Sequence, residues 1–233
     1  MGDMWTGPQA DCGRYLSDQG LNIAYWQPIG YDSSAFPLSR GLNSGLPELR
    51  RQIDLHPGPF VIASWSLGSI IHSVWYQQAK AGGPQADRLS DYKGGALFGN
   101  PYRMGGDWAP KAGPGAVPDP GGAGIGGVRN NVSIPNSHSY AHRGDLYTCC
   151  PGGEVGDDIR IIFDFVLEQW EGAYIDLWEF AISVVKGSLW EWGILGAVID
   201  AISFYGGGTK QHVNYDARQM GALNYLTGIV RSL

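Results

Sequence analysis

The sequence predicts an α/β fold, a mostly parallel sheet flanked by helices, on three observations. The stretch Phe60–Trp75 passes from an apolar run through an abrupt turn into residues spaced at helical intervals. Further along, short apolar runs alternate with segments of helical periodicity, the order that builds parallel strands joined by helices. Finally, 233 residues at 43% hydrophobic content suffice to bury a core, so residues 1–233 are read as a single domain.

In chain order, residues 1–22 read as a loop and a short helix, and Ile23–Ile29 as a short strand or extended segment. Residues 32–43 read as loop. Leu46–Leu55 places Leu46, Leu49 and Ile53 on one side and Glu48, Arg50, Arg51 and Asp54 on the other, a surface helix with Pro47 in its first turn. Phe60–Ala63 follows Gly58-Pro59 as a buried strand, and a helix over 67–80 ends before Gly82-Gly83-Pro84. Tyr92–Phe98 reads as a strand stopped by Gly99-Asn100-Pro101, and Val132–His142 holds room for another. Between them, 103–130 is dominated by Gly and Pro; so long a loop is functional or mobile. A helical pattern resumes at Ile159, and residues 215–231 form a last amphipathic helix through Met220, Leu223, Leu226, Ile229 and Val230.

Residues 170–205 differ from the rest. Two strongly apolar helical stripes, one through Tyr174, Leu177 and Trp178 and one through Trp190, Trp192 and Leu195, break near Gly187-Ser188. Two readings stand together: a helical pair packed on the core, and a lid inserted within the domain whose apolar face lines a groove.

Composition narrows the function. Net charge is -6 and no basic cluster occurs, so no nucleic-acid partner is expected. Three cysteines, two of them adjacent, give neither metal spacing nor a disulfide framework, and nucleotide motifs are absent, so no metal or cofactor is expected. The first residues lack the basic start and apolar run of a signal peptide, and no run of 18 apolar residues predicts a membrane span; integral membrane association is not expected.

The chemistry centres on Ser64-Trp65-Ser66-Leu67-Gly68. A serine lifted above a sheet on a strand–turn–helix corner has the geometry of a nucleophile elbow, and the helix N-terminus beside it offers N–H groups to an oxyanion. The competing reading makes Ser64 or Ser66 the N-cap of the following helix. A serine nucleophile needs a base, and the base needs an orienting acid. Of five histidines, His212 stands in a glycine-flanked loop near the C-terminus, where a base after the last strand belongs; His56, His72, His138 and His142 are the others. Asp145 follows a candidate strand and a glycine, with Asp157, Asp158 and Asp164 as rivals that precede or occupy a helix.

With these residues in view, the chain resembles the Lysin B family of phages that infect mycobacteria and related actinobacteria. The resemblance rests on YWQPIGY (25–31), AFPLS (35–39), the SWSLG elbow, LFGNP (97–101), YAHRGDLY (140–147), the 187–205 stretch and KQH-x-x-Y (210–215), and covers nearly everything after residue 20. It implies a cutinase-like α/β-hydrolase fold with a helical insertion between acid and histidine. It also implies an esterase that cuts the bond joining mycolic acids to arabinogalactan late in infection. The family's serine, aspartate and histidine fall on Ser66, Asp145 and His212. The Leu67 N–H is the first oxyanion donor. Trp178, Trp190, Trp192 and Leu195 would hold the acyl chain.

Two departures from the family pattern carry expectations. Ser64 stands where the first elbow glycine is usual. Relatives open with a hydrophobic strand and a Gly-Thr-Gly-like loop, whereas here only Met1-Gly2-Asp3 precedes Met4-Trp5, so the first strand is expected to be missing and the second donor falls to Gly2 or Asp3. A general cutinase- or lipase-like carboxylesterase, and a hydrolase-fold structural or wall-binding module with a broken oxyanion hole, remain alternatives. The expected state is a monomer or weak oligomer, made without a signal peptide in the infected cytoplasm and acting at the host envelope after release.

Overall fold

The computed structural model describes residues 4–21, 23–33, 38–111, 116–153, 156, 157, 160 and 210–233. The helical insertion expected over 170–205, with Trp178, Trp190, Trp192 and Leu195, falls outside the described residues, as do Gly2 and Asp3.

At the centre are three parallel strands in the order β1 (Phe60–Trp65), β2 (Tyr92–Phe98), β3 (Ser137–Tyr140). Register runs from Ala63 opposite Ala96 to Trp65 opposite Phe98, and from Phe98 to Tyr140, so the carboxyl ends of all three strands finish level. The middle strand is covered on both faces, which is why it reads as a nearly continuous small-apolar run. Its side chains alternate. Leu97 joins a core with Leu49, Ile53, Ile70, Ile71 and Trp75, drawn from α2 (Leu38–Leu55) and α3 (Leu67–Lys80). Ala96 and Phe98 join a second core with Cys12 and Leu16 of α1 (Pro8–Asp18) and with Leu223 and Leu226 of a C-terminal helix. Helices therefore lie on both faces of a parallel sheet, as the sequence predicts. A four-residue helix, α4 (Gly127–Asn130), interrupts the long Gly/Pro-rich loop; α5 (Lys210–Val213) and α6 (Ala222–Arg231) close the chain.

Three expectations change. The helix ending at Leu55 starts at Leu38, not Leu46, so Pro47 sits inside it. The reason is packing: a Cβ on Gly41 would lie 2.4 Å from Leu67 Cδ2, and one on Gly45 2.4 Å from Ile71 Cδ1, so two poor helix formers let α2 approach α3 closely. The segment after residue 22 forms no strand among its described residues. Pro28 has no N–H to give a ladder, and the Trp26 indole instead lies against Gly13 of α1. Lastly, α6 begins at Ala222 instead of residue 215, because Gly221 has φ 75° and Asp216 Oδ1 accepts from the Arg218 and Gln219 N–H groups to make a separate turn. Among the described residues no strand precedes Phe60, and no helix is long and apolar enough to cross a membrane.

Candidate active site

β1 ends at Trp65, α3 begins at Leu67, and Ser66 makes the corner with φ 52° and ψ −121°. Its N–H donates to Phe98 O at 3.0 Å, and its carbonyl accepts from the Ser69 and Ile70 N–H groups. Ser66 occupies the N-cap position of α3 but makes no side-chain cap bond. Its Oγ lies 2.8 Å from His212 Nε2 instead, which decides between the two readings of this serine.

Ser64 needs no left-handed backbone. It is an ordinary strand residue, and a Cβ on Gly68 would sit 3.9 Å from the Ser64 Cβ, an ordinary contact, so serine is accommodated at this position. The Ser64 hydroxyl is buried and reaches Ser69 Oγ at 3.1 Å and His72 Nδ1 at 3.3 Å. His72 Nε2 contacts Tyr92 OH at 2.9 Å, and that hydroxyl contacts Ser137 Oγ at 2.6 Å. A polar chain thus runs beneath the elbow from α3 across to the start of β3. Complete burial pushes the His72 imidazole down to about 3, so it is neutral there.

Asp145 is fully buried in the loop beyond β3. His212 sits on the short helix α5, not in an open loop, and brings Nδ1 to 2.9 Å from Asp145 Oδ2. Serine, histidine and aspartate, up to 146 residues apart in sequence, thus form one hydrogen-bonded line above the carboxyl edge of the sheet. Room for the ring comes from Gly99, directly after β2. Its φ is 55°, and a Cβ there would stand 3.1 Å from His212 Cε1. The Trp65 indole N–H donates to His212 O at 3.1 Å, and the Tyr147 ring lies 4.4 Å from the imidazole centroid.

The other histidines are engaged elsewhere. His56 packs on Tyr25, His138 stacks on Tyr225 at 3.5 Å, and His142 Nε2 donates to Asn214 O at 3.0 Å. Of the rival acids, Asp157 is an exposed partner of Arg160, and Asp158 and Asp164 lie outside the described residues.

At the start of α3 the Gly68 N–H turns to the Tyr31 hydroxyl. The Leu67 N–H, directly after Ser66, meets no backbone acceptor among the described residues. Three contributors escaped sequence reasoning: Trp65, Tyr31 and Tyr215, whose hydroxyl donates to Asp145 Oδ2 at 2.7 Å. Each falls within a motif quoted above, but nothing in a linear string states which way its ring turns.

No protein-family model matches the chain, and no curated protein does. Among solved structures, the chain is similar to the crystal structure of lysin B from Mycobacteriophage D29, with a TM-score of 0.70 and 25% sequence identity over 96% of this chain and 94% of that one. The similarity spans nearly both chains and meets the sequence motifs, the helix-flanked parallel sheet and the Ser66–His212–Asp145 geometry; the chain has a cutinase-like α/β-hydrolase fold and is similar to the Lysin B family.

Proposed function

We propose that the protein is a serine esterase of the actinobacterial envelope, hydrolysing the ester between mycolic acids and arabinogalactan during phage-induced lysis. The observation that carries this reading is the unbroken hydrogen-bonded line from Ser66 Oγ through the His212 imidazole to Asp145.

A serine hydroxyl is a weak nucleophile at neutral pH. His212 Nε2 is within reach of its proton, and the Asp145 bond at Nδ1 holds the ring in the tautomer that leaves Nε2 free to accept. Ser66 Oγ attacks the ester carbonyl, and the developing oxyanion is met by the Leu67 N–H at the positive end of α3. His212 returns the proton to the departing sugar alcohol. Water, activated by the same imidazole, then releases the fatty acid from the serine. Gly2 and Asp3 stay the sequence candidates for a second oxyanion donor, and the tryptophans of 170–205 for the acyl groove. On this reading the enzyme is made in the infected cell and acts on the envelope as lysis proceeds.

Ser66→Ala should lower turnover of a p-nitrophenyl ester by more than about a thousandfold while the protein stays folded. The same variant should release no mycolic acid from isolated mycolyl-arabinogalactan, where the unsubstituted enzyme does. Turnover undiminished by the substitution would remove the esterase reading. Hydrolysis of the p-nitrophenyl ester without release of mycolic acid would leave an esterase with a different natural substrate.

A further inference from the structure

Asp145 presents two carboxylate oxygens to a fully buried space, and a buried charge is tolerated only where its lone pairs are met. Oδ1 accepts the Tyr147 N–H at 3.0 Å. Oδ2 accepts twice, from His212 Nδ1 at 2.9 Å and from the Tyr215 hydroxyl at 2.7 Å. The phenol's own orientation is settled by a fourth bond. Its oxygen accepts the His142 N–H at 3.3 Å, so its proton is directed at the carboxylate. Tyr215 is itself buried, with its ring edge-on to Phe98 at the end of β2, and lies three residues after His212.

We propose that Tyr215 is a positioning residue for the catalytic pair, locking the plane of the Asp145 carboxylate so that His212 stands with Nε2 aimed at Ser66. The proposal rests on the esterase reading of the site and extends it to a side chain that never touches substrate. A carboxylate held by one histidine and one N–H can swing about its Cβ–Cγ bond. A third donor, sharing Oδ2 with the imidazole, removes that freedom. Burial and the neighbouring carboxylate push the phenol well above its ordinary range, so it remains a donor wherever the enzyme works.

Tyr215→Phe removes the proton and little else. Its kcat on a p-nitrophenyl ester should fall about tenfold with KM nearly unchanged, since a hydrogen bond to a charged group is lost but no substrate contact is. In the Ser66→Ala background, where no turnover is needed, the low-field resonance of the His212 Nδ1 proton should shift when Tyr215 becomes Phe. A folded Tyr215→Phe variant with kcat and resonance both unmoved overturns the proposal. Should that variant not fold, the unsubstituted protein still decides: the Tyr215 hydroxyl proton and the His212 Nδ1 proton share one oxygen, so a nuclear Overhauser contact between them is expected, and its absence overturns the proposal. Ester turnover surviving Ser66→Ala would remove the esterase reading, whereas an inactive Ser66→Ala beside an unaffected Tyr215→Phe removes only the role of Tyr215.

Discussion

At Ser66 the backbone takes φ 52°, a conformation that for a residue with a Cβ stores about 1–3 kcal/mol. Bonds on both sides hold it there: its N–H is tied to β2 and its carbonyl to the first turn of α3. Beneath it, Ser64 and His72 form a polar chain that a glycine at the usual first elbow position would leave incomplete, because glycine gives His72 Nδ1 no hydroxyl to meet. The consequence is testable by pH. His72 is held at about 3 in the folded protein against an ordinary value of 6.5, so the unfolded chain takes up a proton first. Stability contributed by the neutral ring is fully present above about pH 6.5 and is lost as pH falls from there toward 3, by at most about 1.4 kcal/mol per pH unit. Urea denaturation at pH 7.5 and pH 5 should show this loss, and His72→Gln should show a smaller pH dependence with a lower midpoint at neutral pH. The helix predicted over 67–80 contains His72, but its bond to Tyr92 on β2, and the onward bond from Tyr92 to Ser137 on β3, were not legible.

Among the elements, α2 shows how tertiary packing overrides local preference. Its first half, Leu38 to Gly45, contains two glycines and two serines and reads as loop by propensity. It is nevertheless helical, because those glycines give α3 a smooth surface and Ser44 Oγ accepts the Asp32 N–H at 3.0 Å while donating to Arg40 O at 2.8 Å. Gly45→Ala, normally favourable to a helix, should here destabilise by about 1–3 kcal/mol, since the new methyl meets Ile71 and the Tyr31 ring root together. Chemical denaturation measures it directly. The contact of Gly41 with Leu67, whose N–H flanks the nucleophile, carries a sharper expectation. Gly41→Ala should lower kcat as well as the melting temperature, because the added carbon displaces the elbow and also meets Asp32 O at 2.6 Å. β1, β2 and α3 were legible because each follows a clear apolar period between glycine and proline stops. The long α2 was not, since its reason for being helical belongs to another helix.

For the whole molecule, the long connection that leaves β2 is tied down by a buried cation, Arg103. Arg103 is fully buried and donates to the carbonyls of Thr148 at 2.7 Å, Asp107 at 3.0 Å, Gly121 at 2.7 Å and Gly122 at 3.0 Å. The described part of the Gly/Pro-rich stretch is therefore anchored, with Val132 bridged to Arg103 and Ala123 to Cys150. Thr148 closes the turn that starts at Asp145, so the same guanidinium supports the acid of the site. Arg103→Lys cannot span those carbonyls and leaves several unmet; a loss of about 3 kcal/mol or more is expected, with reduced ester turnover in the fraction that stays folded. Thermal melting and kcat on one preparation check both. Sequence alone determined the α/β class and the strand–turn–helix corner, because apolar period is a local property of the chain, and it nominated Ser66, Asp145 and His212 among rivals through short motifs. Only the tertiary structure decided that Ser66 bonds histidine rather than capping its helix, that α2 is long, and that Tyr215 bonds Asp145, Arg103 bonds Thr148 and His72 bonds Ser64, since each of those outcomes depends on partners brought together by the fold.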